Sequence, residues 1–272
     1  MADRKNQADL TATEKRNFVD AVLELKRSGR YDEFITTHNA FITSDTDNGE
    51  RTGHRSPSFL PWHRRFLLQF EEALQSVDSS VMLPYWDWTV DRSPNSSLWA
   101  DTFLGGDGRS GDGRVTAGPF AFGGGNWPLN IRVDGRNFLR RSLGVGVRDL
   151  PTRAQVDAVL AMPVYDAAPW NSGSDGFRNA VEGWRGPNLH NRVHVWVGGQ
   201  MTSGASPNDP VFWLHHCFID KLWADWQSRH PDSGYLPTSR VRNVVSLRDT
   251  MKPWNDVTPE DMLDHTQFYT YA

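Results

Sequence analysis

Histidine spacing is the feature of this chain that most constrains its fold. The sequence contains nine histidines, and six of them fall into two groups of three. His190 and His194 are four residues apart, a spacing that places both imidazoles on one face of a helix and within reach of one ion. The elements that carry each group must therefore pack against each other. The groups are His38, His54 and His63 in the first, and His190, His194 and His216 in the second.

The sequence around the first group predicts two helices. His38 lies on an apolar stripe of a helix predicted over residues 31–41. Pro57 and Pro61 suit the entrance of a second helix, which runs to Gln75 and carries His63 in its first turns. His54 lies just before this helix. We therefore expect the first group to be held between two helices.

The second group has the same organisation. A helix predicted from about Pro187 carries His190 and His194 and ends at Gly198 and Gly199. The next helix is predicted with Asp209 as its N-cap and Pro210 at its first position, and it carries His216 to about residue 230. Two such helix pairs packed together make a four-helix bundle with its metal sites inside.

The remaining segments predict a mainly α fold in a single domain over residues 1–272, with long loops and minor β structure. Helices are predicted over residues 11–28, where Thr11 and Glu14 have capping-box spacing, and over residues 151–162. The glycine-rich stretch 105–128 is predicted to be a surface loop, and a short strand is predicted in the region 81–88.

Composition excludes several classes of function. With 29 basic and 33 acidic residues the net charge is −4, so the chain has no electrostatic footprint for nucleic acid. It has neither a signal-peptide core at its start nor a run of eighteen apolar residues, so we expect a soluble protein that does not bind membranes. Cys217 is the only cysteine, and we expect it to be buried packing. Metal binding must therefore depend on histidine.

The choice of metal lies between zinc and copper. Three histidines and an open position also make a hydrolytic zinc site. A helical zinc protease needs glutamate directly after its first histidine, whereas Asn191 follows His190 here. Neutral imidazoles without thiolate or carboxylate suit copper, and two adjacent ions suit a two-electron exchange with oxygen. Spacing alone leaves two zinc ions open as an alternative.

Four stretches carry a resemblance to a known family over nearly the whole chain. They are GHRSPSFLPWHRRFLLQFE from Gly53, LPYWDWT from Leu83, NLHNRVHVWVGG from Asn188 and NDPVFWLHH from Asn208. With them the chain resembles the bacterial, actinomycete-type tyrosinases of the type 3 copper family. The resemblance implies two copper ions on the six histidines. It also implies an enzyme that uses dioxygen to hydroxylate phenols beside the hydroxyl group and to oxidise catechols to ortho-quinones, as in melanin formation.

The resemblance also implies roles for residues near the second group. A phenol has a pKa of about 10, so binding as phenolate at neutral pH requires that a nearby group takes up the proton. Residues matching Glu182 and Asn191 hold a water that receives this proton in the family. We expect the Asn191 side chain to point away from His190 along the helix. His215 adjoins His216 but lies about 100° away around the helix, so we assign the ligand role to His216.

The substrate pocket is expected over the loop 198–206 that follows the second ligand helix. Val195, Ser203 and Gly204 are its candidate residues, because the loop is built of small side chains and Val195 directly follows a predicted ligand. His230 and His265 lie outside the motifs and receive no role.

The family resemblance extends to a partner and to localisation. The chain ends at Ala272, which we expect to leave no room for the shielding C-terminal domain of some relatives. In actinomycete relatives a small partner protein delivers copper and carries the export signal. We therefore expect such a partner here, with export in its company and a cytoplasmic location otherwise.

Three alternatives stay open at this point. The nearest is an enzyme of the same fold that oxidises catechols or ortho-aminophenols without strong hydroxylation of monophenols. The second is an oxygen carrier like the haemocyanins. In the third, the metal ions only hold the helices together, and no oxygen-dependent colour change is expected.

Overall fold

Helices dominate the computed structural model, which describes residues 2–123 and 126–272. The described residues contain seven α-helices and one small sheet, so the prediction of a mainly α fold is confirmed. The helices are α1 (Ala12–Arg27), α2 (Arg30–Ser44), α3 (Phe59–Gln75), α4 (Arg153–Leu160), α5 (Phe177–Glu182), α6 (Leu189–Val197) and α7 (Val211–Arg229). None of the helices in the described ranges is both long enough and apolar enough to cross a membrane.

Capping determines where the first helix begins. The hydroxyl of Thr11 accepts the backbone N–H of Glu14, and the Glu14 carboxylate accepts the backbone N–H of Thr11 in return. Gly29 follows the helix with a φ of 83°, which glycine adopts without strain. The capping box predicted for Thr11 is thus confirmed, and a second one, between Thr152 and Gln155, begins α4.

Aromatic side chains join the helices that carry the histidines. Phe70 of α3 stacks on Trp213 of α7, with ring centroids 3.6 Å apart. Phe34 of α2 meets both rings edge to face at 5.4 and 5.6 Å. Because large rings interlock in a few geometries, this cluster fixes α2, α3 and α7 against one another. α6 packs on α5 and α7, which brings the fourth histidine-bearing helix to the same core.

The small sheet is formed by the two ends of the described chain, not by the region predicted. Strand β1 (Ala2–Arg4) pairs in parallel with β2 (Tyr269–Tyr271). The strand predicted over 81–88 is wrong: that segment makes only one isolated bridge, between Tyr85 and Asn6. Its apolar residues are buried by packing, with Trp86 and Trp88 fully inside the protein, and this burial explains the misleading apolar pattern.

The glycine-rich stretch is less exposed than predicted. Over the described parts of 105–128, Val115, Phe120 and Trp127 are buried in the core, so the surface-loop prediction is wrong for them. Carbonyl groups at the start of this stretch accept hydrogen bonds from a buried cation. The guanidinium of Arg141 donates to the carbonyl oxygens of Leu104 and Gly105 at 2.9 and 2.7 Å. Buried carbonyls outside regular structure need such partners.

Candidate metal centre

The first histidine group comes together inside the protein. α2 carries His38, α3 carries His63, and the segment between these helices carries His54. One ring nitrogen of each residue lies within 4.8 Å of the others. All three side chains are buried.

The second group is tighter. The Nε2 atom of His190 lies 2.9 Å from Nε2 of His194 and 3.2 Å from Nε2 of His216. The third distance, between His194 and His216, is 3.3 Å. α6 supplies the first two rings and α7 the third, as the spacing predicts.

Backbone carbonyls fix the orientation of four rings. The Nδ1 atoms of His38, His63, His194 and His190 lie 2.8, 2.8, 2.7 and 3.1 Å from the carbonyl oxygens of Gly204, Phe59, Met201 and Glu182, respectively. A carbonyl oxygen only accepts hydrogen bonds, so each Nδ1 carries the proton. Each Nε2 then presents a lone pair to the interior of its group. Metal-bound histidines have this arrangement, in which the other ring nitrogen donates to a fixed acceptor.

The interior of each group fits a cation. Nε2 of His38 and Nε2 of His63 are buried and have no hydrogen-bond partner within the described residues. The clustered Nε2 atoms of the second group have no proton to share when Nδ1 is protonated. Burial lowers the pKa values of the three rings of the second group, that of His194 to about 4, which favours their neutral form at pH 7. Buried, neutral lone pairs that converge on one point are satisfied by a metal ion.

The two groups lie against each other. The ring of His63 stacks on that of His216 at a centroid distance of 4.5 Å and an angle of 19°. His38 meets His216 edge to face at 6.5 Å. α3 and α7 therefore hold one histidine from each group in direct contact, which places any two bound ions next to each other.

His215 lies closer to the second group than its position on the helix indicates. One of its ring nitrogens falls within 4.8 Å of nitrogens of the other three histidines. Its Nδ1, however, accepts a hydrogen bond from the indole of Trp88 at 3.2 Å. This contact gives the LPYWDWT motif a direct link to the histidine cluster, and sequence reasoning had no signal for it.

Glu182 is almost completely buried at the C-terminal end of α5. Its carboxylate accepts hydrogen bonds from the backbone N–H of Arg55 at 2.6 Å and from the guanidinium of Arg178 at 2.8 Å. Its backbone carbonyl faces His190, as described above. Glu182 therefore connects the segment after His54 with the helix end beside His190.

Asn191 does not point away from His190, and that expectation is wrong. Its amide oxygen lies 3.0 Å from Nδ1 of His190, which it shares with the Glu182 carbonyl. Gly183, with a φ of 105°, leaves room for this approach, because a Cβ there would come within 3.1 Å of the Asn191 Cβ. The side chain folds back over the preceding residue instead of following the helix.

The three pocket candidates differ in what they contact. Val195 is 39% exposed on α6. The Ser203 hydroxyl donates to the carbonyl of Gln200 at 2.8 Å. Gly204 uses its carbonyl to hold His38, so it contributes to the orientation of a histidine. Sequence reasoning missed this contact, because a backbone carbonyl leaves no trace in residue type.

Two carboxylates near the helices act on the backbone. Helix α7 begins at Val211 with Pro210 as its N-cap, so the prediction of Asp209 as N-cap and Pro210 at the first position is wrong by one residue, although the Asp209 carboxylate accepts the N–H of Val211 at 3.2 Å. Asp209 also pairs with Arg141, and among the described contacts it does not bond a histidine. Asp45, which sequence reasoning missed, accepts the N–H groups of Gly53 and His54 at 2.7 Å each. It thereby fixes the segment that presents His54.

Comparison with known proteins identifies the family. The profile described as "Tyrosinase: Common central domain of tyrosinase" matches residues 28–229, about three quarters of the chain. The chain belongs to the tyrosinase family. It is 74% identical to a tyrosinase of Streptomyces antibioticus over 271 residues, which cover 100% of this chain and 99% of that protein. It is 49% identical to grixazone synthase of Streptomyces griseus, covering 98% of each.

Solved structures share the fold of this chain. A polyphenol oxidase of Thermothelomyces thermophila, with the substitution G292N, matches 84% of this chain and 70% of its own at 26% identity and a TM-score of 0.64. A functional unit of octopus haemocyanin matches 100% of this chain and 68% of its own at 22% identity and a TM-score of 0.69. Membership of the tyrosinase family makes the chain a tyrosinase-like oxidoreductase and implies copper as its metal.

Proposed function

We propose that this protein is a dicopper enzyme that uses dioxygen to hydroxylate monophenols at the ortho position and to oxidise catechols to ortho-quinones, as in melanin formation. The observation that carries the proposal is the contact between two buried histidine groups, in each of which one ring nitrogen of every histidine lies within 4.8 Å of the others. The tyrosinases that match the full chain at 68–74% identity support it. The substrates are small phenols of the tyrosine type.

Six histidines are the proposed ligands. One copper ion would be held by His38, His54 and His63, and the other by His190, His194 and His216. Two adjacent copper ions would supply a two-electron exchange with dioxygen. The carbonyls that hold the Nδ1 atoms keep the rings aimed at the ions before they bind, which lowers the cost of assembling the site.

Glu182 and Asn191 are the proposed residues for proton handling. A monophenol has to lose its hydroxyl proton before its oxygen binds as phenolate. The Glu182 carboxylate and the Asn191 amide oxygen are both hydrogen-bond acceptors. The Asn191 amide oxygen and the backbone carbonyl of Glu182 both lie against Nδ1 of His190. A water molecule held by these oxygens would take up the phenol proton.

The substrate pocket is proposed to lie beside α6. Val195, which is partly exposed and adjoins His194, would face the substrate ring. Ser203 and Gly204 lie in the loop that returns from α6 towards His38 and would form the opposite edge. We further propose that residues 1–272 form one domain around this pocket.

A partner protein is part of the proposal. We infer that a small protein delivers copper to the buried histidines and accompanies this chain during export. Ile42 on α2 and Val195 on α6 are apolar side chains that are more than a third exposed on two helices that carry histidines, and we propose that one or both contact this partner. Co-expression with such a partner would raise the copper content of the purified chain.

A second candidate function follows from one of the relatives. We propose a catechol or ortho-aminophenol oxidase without strong monophenol hydroxylation as this second candidate. The 49% identity over nearly all of both chains to grixazone synthase, a relative that does not carry the name tyrosinase, supports it. The haemocyanins of octopus and Rapana thomasiana match in fold alone, and this chain covers only 68% and 69% of those two structures.

An assay with three substrates tests the proposal. The copper-loaded protein is given L-tyrosine, L-DOPA or an ortho-aminophenol, and quinone absorbance and oxygen uptake are followed. The proposal requires oxidation of L-tyrosine as well as L-DOPA. Activity on only the last two substrates would select the second candidate, and reversible oxygen binding without turnover would select the carrier.

A further inference from the structure

The carboxylate of Glu182 is held by three donors from three parts of the chain. Its Oε1 atom accepts the backbone N–H of Arg55 at 2.6 Å and the indole N–H of Trp184 at 2.9 Å. Its Oε2 atom accepts the guanidinium of Arg178 at 2.8 Å. Two donors on Oε1 and one on Oε2 together restrain the orientation of the buried carboxylate.

Trp184 is an exposed aromatic residue beside a buried carboxylate. It is 42% exposed, so burial in the core does not explain its position. The guanidinium of Arg55 lies 4.4 Å above its ring, which is cation–π distance. The indole N–H, at the edge of the ring, donates to the Glu182 carboxylate. The ring is therefore held at its face by the Arg55 cation and at its edge by this carboxylate.

The backbone of Arg55 supports the same arrangement. Arg55 has a φ of 51°, a conformation that costs free energy for a residue with a side chain. The strained backbone directs its N–H at Glu182. The Arg55 guanidinium also forms an ion pair with Asp47 at 3.4 Å. The buried guanidinium of Arg178 pairs with both Glu182 and Asp166. The Trp184 indole and the strained backbone of Arg55 thus both donate to the Glu182 carboxylate.

We propose that Trp184 is a positioning residue whose indole N–H sets the orientation of the Glu182 carboxylate and thereby favours phenol hydroxylation over catechol oxidation. The inference rests on the proposed function, in which Glu182 and Asn191 hold the water that takes up the phenol proton. Without the indole donor, Oε1 keeps one hydrogen bond instead of two, so the hydrogen bonds from Arg55 and Arg178 hold the carboxylate less firmly in this orientation. The proton acceptor is then misplaced, while the histidine groups are unchanged.

The first test is a double-mutant cycle. Trp184→Phe keeps an aromatic ring under Arg55 and removes only the indole donor. It should lower kcat/KM for L-tyrosine relative to L-DOPA by about tenfold, the order of one hydrogen bond to a charged group. In a Glu182→Gln background the same substitution should change the ratio no further, because Trp184 acts through Glu182. Equal effects in both backgrounds would overturn the inference.

A matched variant separates the indole donor from the stack. Arg55→Lys removes the planar guanidinium from the Trp184 ring and keeps the backbone N–H that bonds Glu182. Its effect on the substrate ratio should be smaller than that of Trp184→Phe. A larger effect would show that the stack, and not the indole hydrogen bond, determines the ratio, and would overturn the inference.

The second test does not depend on activity. In the metal-free protein, the indole cross-peak of Trp184 in a ¹⁵N–¹H spectrum is assigned by its loss in Trp184→Phe. It should shift upfield in Glu182→Gln, because the charged acceptor is gone. An unmoved peak would contradict the hydrogen bond.

The two proposals fail in different ways. If Glu182→Gln lowers turnover of L-tyrosine and L-DOPA equally, the proton-handling role of Glu182 fails and the positioning role fails with it. If Glu182→Gln is selective and Trp184→Phe is not, only the positioning role fails.

Discussion

The Nδ1 atom of His38 lies 2.8 Å from the carbonyl oxygen of Gly204, although the two residues are 166 positions apart in the chain. The loop that follows α6 thus orients a histidine on α2. The same loop region holds His194 through the carbonyl of Met201 at 2.7 Å. One short segment therefore orients a ring in each of the two histidine groups, which couples the groups through the backbone.

A methyl group at Gly204 should disturb the first group. A Cβ at this position would lie 2.5 Å from Oδ1 of Asn39 and 2.7 Å from a methyl carbon of Ile42, two side chains of α2, so the loop and this helix have to adjust to each other. We expect the adjustment to draw the Gly204 carbonyl away from His38. We expect Gly204→Ala to weaken copper binding by about tenfold to a hundredfold, as losses of such supporting contacts do. Equilibrium titration with a copper chelator measures the change.

Gly234→Ala is the control for this substitution. A Cβ there meets no atom within 4 Å, so copper affinity should stay at the wild-type value. Equal affinity of the Gly204→Ala variant and the wild type would show that the carbonyl contact does not orient His38.

Glu182→Gln should separate the two reactions. Glutamine keeps the shape of the side chain and removes the negative charge that accepts a proton. We expect kcat/KM for L-tyrosine to fall by about a hundredfold, the usual order for loss of a general base, and kcat/KM for L-DOPA to fall much less. Steady-state rates on both substrates provide the measurement, and equal losses contradict the role.

The buried pair of Arg141 and Asp209 should be important for stability. Both side chains are fully buried and are joined by two hydrogen bonds of 2.7 and 2.8 Å. Asp209→Asn leaves the Arg141 guanidinium without its counter-charge, which should lower the free energy of unfolding by about 3–5 kcal/mol. Urea unfolding of the metal-free protein measures this change.

An exposed ion pair supplies the comparison. Arg109 and Asp112 lie 2.9 Å apart on the surface, where solvent screens their attraction. Asp112→Asn should leave the urea midpoint nearly unchanged. If Asp112→Asn lowered the free energy of unfolding as much as Asp209→Asn, burial would not be the reason that the pair of Arg141 and Asp209 is important for stability.

The metal-free protein should become less stable as the pH falls from about 6.5 to about 4. Burial lowers the pKa of His194 to about 4, and burial also lowers the pKa values of His38, His63, His190 and His216 well below their usual range. In this window the unfolded chain binds protons that the native histidines do not bind. Each such proton lowers the free energy of unfolding by about 1.4 kcal/mol per pH unit.

Asp166 acts in the opposite direction over part of this window. Burial raises its pKa to about 6, against the attraction of Arg178, so its contribution to stability is present at low pH and is lost as the pH rises through 6. Five histidines outweigh one aspartate, so urea midpoints should still fall on acidification. A midpoint that is constant or rises from pH 6.5 to 4 would contradict the neutral, buried state of the rings.

Much of the fold was predictable because local rules govern it. The capping box at Thr11, the glycine at position 29 and the apolar periodicity around His38 and His63 each act over a few residues, and the helices follow them. The terminal sheet was not predictable, since Ala2 pairs with Tyr269 across the whole chain. Three-residue strands are also too short to show a periodic pattern.

The candidate site shows the same division. The four-residue spacing of His190 and His194 indicated one helix face, and their Nε2 atoms lie 2.9 Å apart. The contacts that orient the rings were missed, because the carbonyl of Gly204 and the carboxylate of Asp45 act through the backbone from distant or irregular segments. The orientation of Asn191 was wrong because Gly183, eight positions before it, lets the side chain fold back.

Copper content per chain tests the central claim most directly. The loaded and desalted protein should contain two copper ions by atomic spectroscopy, and His63→Ala, which removes one ligand of the first group, should retain about one. His230→Ala, a substitution at a half-buried histidine outside both groups, should retain two. Fewer than two ions in a fully active wild-type protein, or an unchanged content in His63→Ala, would contradict the assignment of a dicopper centre.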